Sequence, residues 1–353
     1  MTSNRWSEKS SIHAFVQMRN LVPWPVMKQS WKKIRYRLEW IGIELLVRLI
    51  PRLPRRSIVW LANGIGALGF IFDGRGRKVA LANIEAAFGD RYTPGQRAEI
   101  ARASYLDFMR TMLDLLWAPA LTRENYRRYM RIEGMEILEK LRDRGESAIV
   151  IVIHHGNFEW ASLAGGFEGM PGVIVTESFK NEHLSEIFKR CRETSGHRMI
   201  GQEKSMIRML KHVKKGGRSG MLLDLAMEPG EASTVIDTFG LKLCATFLHA
   251  VLALRGGARL VPLEGRSQPD GTCHVVLHPP IEIPPDATYR QVTQKCWDFF
   301  EPVIRDNPHH WMWAYKHWRY KPKNTDRPYP FYSYEFREFE DLLARIEREN
   351  SAG

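Results

Sequence analysis

Cysteine is scarce: Cys191, Cys244, Cys273 and Cys296 are the four in a chain of 353 residues. They stand far apart and form no C-x-x-C pair, so the pattern indicates neither a disulfide framework nor a zinc cluster, and a reducing environment fits it best. Also missing is a stretch of roughly 20 predominantly apolar residues, the length a membrane-spanning helix needs. The run SIVWLANGIGALGFIF (57–72) is uncharged but stops at sixteen residues, and EWIGIELLVRLI (39–50) is broken by Glu44 and Arg48. The first residues hold no short apolar core followed by a small-residue cleavage site, so no secretory signal peptide is expected. Internal repeats and low-complexity linkers are lacking too, which with 44% apolar content points to one large core.

Positive charge is in excess, and it is concentrated. Of the formal +12, residues 1–56 supply twelve Lys and Arg against three Asp and Glu, leaving about +3 for everything after. Within this basic arm Trp31, Ile34, Leu38, Ile41, Leu45 and Leu49 recur at three- and four-residue steps, with Lys32, Lys33, Arg35 and Arg37 mostly on other faces. Such a helix suits a membrane interface, its cations drawn to anionic lipid. The alternative is an ordinary amphipathic helix packed on the core. Residues 1–30 are expected to be poorly ordered.

Thr93-Pro94 followed by Gln96 reads as a cap, a first-turn proline and a capping-box partner, opening a helix that runs to about Trp117. Strands and helices then alternate. Apolar runs at 147–153, 172–176, 219–225 and 258–263 read as buried strands, separated by helices at about 158–167, 181–195, 203–215 and 244–255. Asn181 is placed to cap the second of these helices. CHVVLHPPIEI (273–283) alternates and is expected as an antiparallel strand at one edge. The order predicts an α/β fold with a mixed, largely parallel sheet flanked by helices. A proline-containing tail follows from 323, with a last charged helix at about 334–349.

In such a sheet ligands gather where strands end and helices begin. There SAIVIVIHHGNFEW (147–160) passes abruptly from apolar residues to two histidines, a glycine and an asparagine. Gly156 allows a tight turn. His154 and Glu159 are separated by four residues, and the turn can fold the carboxylate back onto the imidazole. That would fix the ring tautomer and leave the other nitrogen free to accept a proton from a substrate hydroxyl. It is two-thirds of a hydrolase triad without its serine, so the nucleophile would be an outside alcohol and the reaction a transfer. His155 is the competing base, though its side chain should point the other way. No third ligand with metal spacing accompanies the pair, and no metal is expected.

IHHGNFEW resembles the H-x-x-x-x-(D/E) motif of the lysophospholipid acyltransferase superfamily, and specifically of the bacterial lipid A biosynthesis (lauroyl/myristoyl) acyltransferase family. RKVALANIEAAFGD (77–90), FKNEHLSEIFKRCRETSG (179–196), GMLLDLAMEPGEASTVIDTFG (220–240) and DNPHHWMWAYKHWRYKP (306–322) are similar to further blocks of that family in the same order. The resemblance implies a glycerol-3-phosphate acyltransferase-like fold over 57–322, behind the arm of 1–56 and before the tail of 323–353. It implies that His154 is the general base and Glu159 its orienting partner, moving a fatty acyl group to a lipid A precursor or related glycolipid. The expected donor is a thioester of acyl carrier protein or coenzyme A, and no cofactor is expected. A lysophospholipid, a phosphoinositide mannoside or an amino-acid lipid is the alternative acceptor, and a non-catalytic lipid-binding protein the alternative function.

Around that pair, Gly156 and Asn157 are the nearest candidates to stabilise an oxyanion. Arg192 and Asn181 fall on family positions, Arg192 with Lys180 and Lys204 suiting a phosphate, and Asp224 could orient a site group. The chain departs from the family at Glu177, where an arginine is usual, at Leu225 in place of glutamine, and at His317 in place of arginine. One cation lost and one anion gained bring a bis-phosphorylated acceptor into question. Apolar helices at 57–72 and 106–117 are expected to shape a hydrocarbon groove. The aromatic segment near 311–318 is expected at a lipid interface as well as in packing, with nucleic acid disfavoured. The expected location is the cytoplasmic face of the inner membrane.

Overall fold

The computed structural model describes residues 24–176, 179–201, 203–230 and 232–351. Readings that fall on residues 1–23 and on Glu177 lie outside the described residues. Four helices come first: α1 (Trp24–Leu49), α2 (Arg55–Phe72), α3 (Gly74–Phe88) and α4 (Pro94–Trp117). α4 opens with both bonds of the Thr93/Gln96 capping box. Then follow β1 (Met130–Glu133), α5 (Met135–Asp143), β2 (Ala148–Val152), α6 (Phe158–Phe167), β3 (Val173–Thr176), α7 (Glu182–Glu193), β4 (Arg198–Gly201), α8 (Ser205–Val213) and β5 (Arg218–Leu222). A hairpin of β6 (Ser233–Thr238) and β7 (Leu241–Thr246) precedes α9 (Leu248–Gly256), β8 (Arg259–Ser267), β9 (Cys273–Leu277), α10 (Tyr289–Asp306) and α11 (Arg337–Ser351).

Seven strands form one sheet in the order β1-β9-β8-β2-β5-β3-β4. Five run parallel, four of them where the apolar runs predict, since strands covered on both faces need no polar alternation. β9 is antiparallel to β8, but it is not the edge: the short β1 pairs beyond it. β1, β4 and the hairpin were not expected; each is short or partly polar, and β7 occupies the start of the helix predicted from 244. One face of the sheet packs on α6, α7 and the far half of α4; the other packs on α8, α9, α10 and the aromatic segment.

That aromatic segment is core. Trp311, Trp313 and Trp318 are fully buried around Phe239 of the hairpin turn, which bears out the packing expected of this segment and corrects its expected lipid-facing role. Asn83 of α3, also fully buried, donates to the Trp313 and Tyr315 carbonyls at 2.8 and 2.7 Å, so two distant sequence blocks close on each other. The polar stretch before α11 folds back as well, Tyr320 bridging to Tyr334, and α11 buries Phe339 and Leu342 beside Val235 of β6.

α1 has two different faces. One is fastened to α7 by Glu44–Arg190 at 2.5 Å and by the ring contact of Trp40 with His183. The other carries the predicted stripe of Trp31, Ile34, Leu38, Ile41, Leu45 and Leu49, each between 49% and 67% exposed, so that stripe is not what packs on the core. Trp60, Leu68, Ile71 and Phe72 of α2 are exposed too. Among the described residues no single helix is long and apolar enough to cross a membrane.

Arg55, in the basic arm by sequence, is a core residue. Its guanidinium lies between the Trp117 and Trp160 rings, 4.9 and 4.5 Å from their centres, and 2.6 Å from the fully buried Asp114 carboxylate. Burial pushes the Asp114 carboxyl up, against the pull of Arg55 and Arg110. Removing one partner strands the other charge in the core, so Arg55→Ala should cost about 3–5 kcal/mol in denaturant unfolding. Adding Asp114→Asn should restore part of that loss; a double variant as unstable as the sum of the two would show that the pair is not coupled.

Candidate active site

The turn after β2 is built by backbone contacts from three directions. Gly156 has φ +58°, and a Cβ there would collide with the Gly265 carbonyl of β8, so only glycine fits. The Gly156 N–H donates to His310 O at 2.9 Å, the Asn157 N–H to Gly265 O at 2.7 Å, and the Thr111 hydroxyl to Gly156 O at 3.0 Å. The Asn157 side chain caps α6 by accepting from Trp160 N at 3.0 Å and donates to Asp114 at 2.7 Å. The N–H groups expected to meet an oxyanion are therefore spent on carbonyls. Gly156 and Asn157 shape the turn instead.

His154 is held by Asp224, at the carboxyl end of the neighbouring strand β5. Nδ1 lies 2.8 Å from Asp224 Oδ1, and the His154 backbone N–H donates to Oδ2 at 3.0 Å. The Trp311 indole N–H donates to the same Oδ2 at 2.9 Å. Burial alone would disfavour the charge of Asp224, but the imidazole and the indole donor bring its pKa down to about 2 from the ordinary 3.8. With Nδ1 carrying the proton toward a carboxylate, Nε2 is the basic nitrogen. No hydrogen bond to Nε2 is made among the described residues.

The turn does not fold Glu159 onto the imidazole, which corrects the expected pairing. Glu159 lies in the first turn of α6 and takes a bidentate bond from Arg192 of α7, at 2.9 and 2.5 Å. A helix that begins at Asn157 carries Glu159 away from the strand axis, and the arginine satisfies both its oxygens. Arg192 spends Nε and one terminal nitrogen on this pair, while it also lines the cavity. Asn181 makes no side-chain cap; its amide donates to Tyr36 O and Glu39 of α1, fastening the first helix to α7. Lys180 stands at the cavity mouth, exposed, with no ion-pair partner among the described residues.

His155 is buried on the other side, its Nε2 3.0 Å from Asn307 O. His317 stacks on Trp311 with ring centres 3.9 Å apart, and burial pushes its pKa down to about 4, so it is neutral packing rather than a substitute cation. Trp311 was the contact that sequence reasoning missed. Its one signal is chemical: a buried indole N–H needs an acceptor.

His154 and Glu159 border a cavity of about 860 Å³ that enters the fold between β2, β5 and β3 and is walled by α5, α6 and α8. Pairing of β3 with β5 stops after Val173 and Ile174, so the sheet opens there. Val150, Val152, Leu222 and Leu225 line it, as do seven of the chain's 14 methionines, among them Met206, Met209 and Met221. Thioether side chains are flexible and polarizable, and suit a wall that adapts to a long apolar guest. Residues 57–72 and 106–117 contribute nothing to this lining, contrary to expectation; the groove lies at the strand ends instead.

Fold and cavity together define an α/β protein with an imidazole bordering a largely apolar cavity. The family model for bacterial lipid A biosynthesis acyltransferases matches residues 25–320, so the chain belongs to this family and is an acyltransferase. It is 25% identical over 300 residues to the lipid A biosynthesis lauroyltransferase of Escherichia coli (strain K12), covering 84% of this chain and 95% of that protein. It is 22% identical over 296 residues to a lipid A biosynthesis acyltransferase of Haemophilus influenzae (80% and 88% covered). To the E. coli lipid A biosynthesis myristoyltransferase it is 20% identical over 311 residues (86% and 94%).

The two carboxylates separate by experiment. Asp224→Asn should lower kcat by about 10²–10⁴-fold in protein that still folds, because it frees the ring to adopt the wrong tautomer. Glu159→Gln should cost roughly 2–3 kcal/mol of stability, less than a fully buried pair because Arg192 keeps some solvent contact, and change kcat less than about tenfold. A kcat loss in Glu159→Gln equal to that in Asp224→Asn would return the orienting role to Glu159.

Proposed function

We propose that this chain transfers a fatty acyl group from a carrier thioester to a hydroxyl of a lipid A precursor or a related glycolipid, with His154 as general base. The observation that carries the reading is His154, its Nδ1 held by Asp224 and its ring bordering the apolar cavity. The acyl chain lies in the methionine-lined cavity with its carbonyl at the mouth. Nε2 takes the hydroxyl proton as the acceptor oxygen attacks the thioester carbon; the C–S bond breaks, and the imidazolium proton passes to the departing thiolate. Asp224, ionised throughout the ordinary pH range, stabilises that imidazolium. Lys180, exposed beside the cavity, is a cation placed to meet a phosphate.

The relatives' names point to lipid A, and two features favour an acceptor carrying less phosphate than a bis-phosphorylated precursor. Arg192 shares its charge with Glu159, and Leu225, in place of the family glutamine, adds apolar surface to the cavity wall. Lysophospholipids, phosphoinositide mannosides and amino-acid lipids belong in the acceptor panel for that reason. His154→Ala should reduce turnover of dodecanoyl thioesters with the productive acceptor by about 10³-fold or more. Near-full activity in that variant would remove His154 from the base role.

The exposed stripe of α1, with the outer apolar residues of α2, supports attachment to the cytoplasmic face of the inner membrane. Each leucine immersed in the interface is worth about 1.5–3 kcal/mol, so Leu38→Glu with Leu45→Glu should weaken flotation with anionic vesicles by more than about tenfold. Unchanged flotation would leave the stripe without a membrane role.

A further inference from the structure

We propose that Gly220 and Arg218 of β5 set which acyl chain lengths are accepted, Gly220 by leaving a passage open and Arg218 by ending it. The inference rests on the transferase reading above and adds the length of chain to it. β5 lies inside the seven-stranded sheet, between β2 and β3, yet Arg218, Gly220, Met221 and Leu222 are only half-buried. A parallel strand covered on both faces is normally shut off from solvent; here the cavity lies against it. Register with β2 sets Arg218 beside Ala148, Gly220 beside Val150 and Leu222 beside Val152, so alternate positions share one side of the sheet. Arg218, Gly220, Leu222, Val150 and Val152 all border the cavity, a floor that runs away from His154.

The usual reasons for a glycine do not apply to Gly220. Its φ lies outside the left-handed region, so no turn calls for it. No backbone presses on it either: the nearest atoms to a Cβ placed there are Ile174 Cγ1 at 3.3 Å and Cδ1 at 3.6 Å, then Val150 O at 4.0 Å. At Gly265 of β8, by contrast, a Cβ would run into the Asn157 carbonyl. A glycine inside a strand weakens it and marks a place where something else approaches closely. At Gly220 that is the guest of the cavity. Ala161 and Gly165, one turn apart on α6, also line the cavity, so the helical wall is small-sided too. Gly220 stands four residues before Asp224, about 13 Å at the rise of an extended strand. One leaflet of a bilayer's hydrocarbon core is about 15 Å deep, so a membrane-length chain with its carbonyl at His154 passes over Gly220, and a much shorter one stops before it. Arg218, two residues further on the same side, closes the row about 20 Å from the level of Asp224. Its guanidinium has no ion-pair partner among the described residues, and its Nε is buried without an acceptor. An alkyl end offers that donor nothing and would strip water from a charge, so a chain long enough to reach Arg218 is disfavoured.

The test profiles saturated acyl thioesters from octanoyl to octadecanoyl on wild type, Gly220→Val, Gly220→Ala and Arg218→Met, each first checked for cooperative melting. Gly220→Val should lower the ratio of kcat/KM for tetradecanoyl over octanoyl donors by about tenfold or more, the scale on which a few methylenes are told apart in an apolar pocket. Gly220→Ala should move the same ratio in the same direction by about threefold, and it carries the test if the valine variant does not fold. Arg218→Met should act the other way, raising the ratio of octadecanoyl over tetradecanoyl donors by about tenfold. Glycine variants that keep the wild-type profile, or that lose every donor in equal proportion, overturn the proposal. So does an Arg218→Met profile that ends where the wild-type profile ends. Binding without turnover, read as the rise in melting temperature given by free fatty acids of the same lengths, keeps the two readings apart. Protection whose length dependence shifts in the variants, with no donor turned over by wild type, sinks the transferase reading alone. Turnover with an unshifted length profile sinks the length assignment alone.

Discussion

The carboxylate of Asp224 is the constraint on which the site depends. Completely buried, it survives as an anion because three donors converge on it: the His154 imidazole, the His154 backbone N–H and the Trp311 indole. A buried anion without such partners would protonate or pull the fold apart. With them, it joins three distant parts of the chain at one point: the end of β2, the end of β5 and the aromatic segment after α10. The depth of the tryptophan cluster follows from this, since Trp311 must reach the carboxylate while its ring packs on His317 and Phe239.

Around that anchor the fold separates two jobs. A second layer of charge holds the scaffold: Arg55 with Asp114 beneath the turn, and Arg192 with Glu159 beside it. Of the two pairs only Arg192–Glu159 lies in the cavity wall, where methionine and aliphatic side chains make up much of the rest. Outside, the exposed apolar residues of α1 and α2 and the unpaired cations of α8 lie over opposite sheet faces. The molecule thus carries an exposed apolar stripe on one side and a basic one on the other.

Periodicity and chain order were enough to read much of the fold. Strands at 148–152, 173–176, 218–222 and 259–267 lie where apolar runs placed them, and the Thr93 box opens α4 as its residue types dictate. Short elements escaped because four residues, as in β1 or β4, hold too little pattern to distinguish strand from loop. The pairing of Glu159 with His154 was misread for a related reason. Spacing in sequence measures nearness along the chain, and the partner across a parallel sheet, 70 residues away at Asp224, is invisible to it.

By itself the sequence determined the local terms: which segments are apolar enough to be buried strands, where a glycine must turn the chain, and which histidine ends a strand. It determined as well that the apolar residues of α1 share one side, because helical geometry alone sets residues three and four apart there, but not that this side faces outward. Only the tertiary structure decided which carboxylate serves His154, that Arg192 is already bound, and that the groove opens where β3 and β5 part. Those are questions of strand order and of competition between partners for the same charge, and both arise only when residues far apart in the chain are brought within hydrogen-bonding distance.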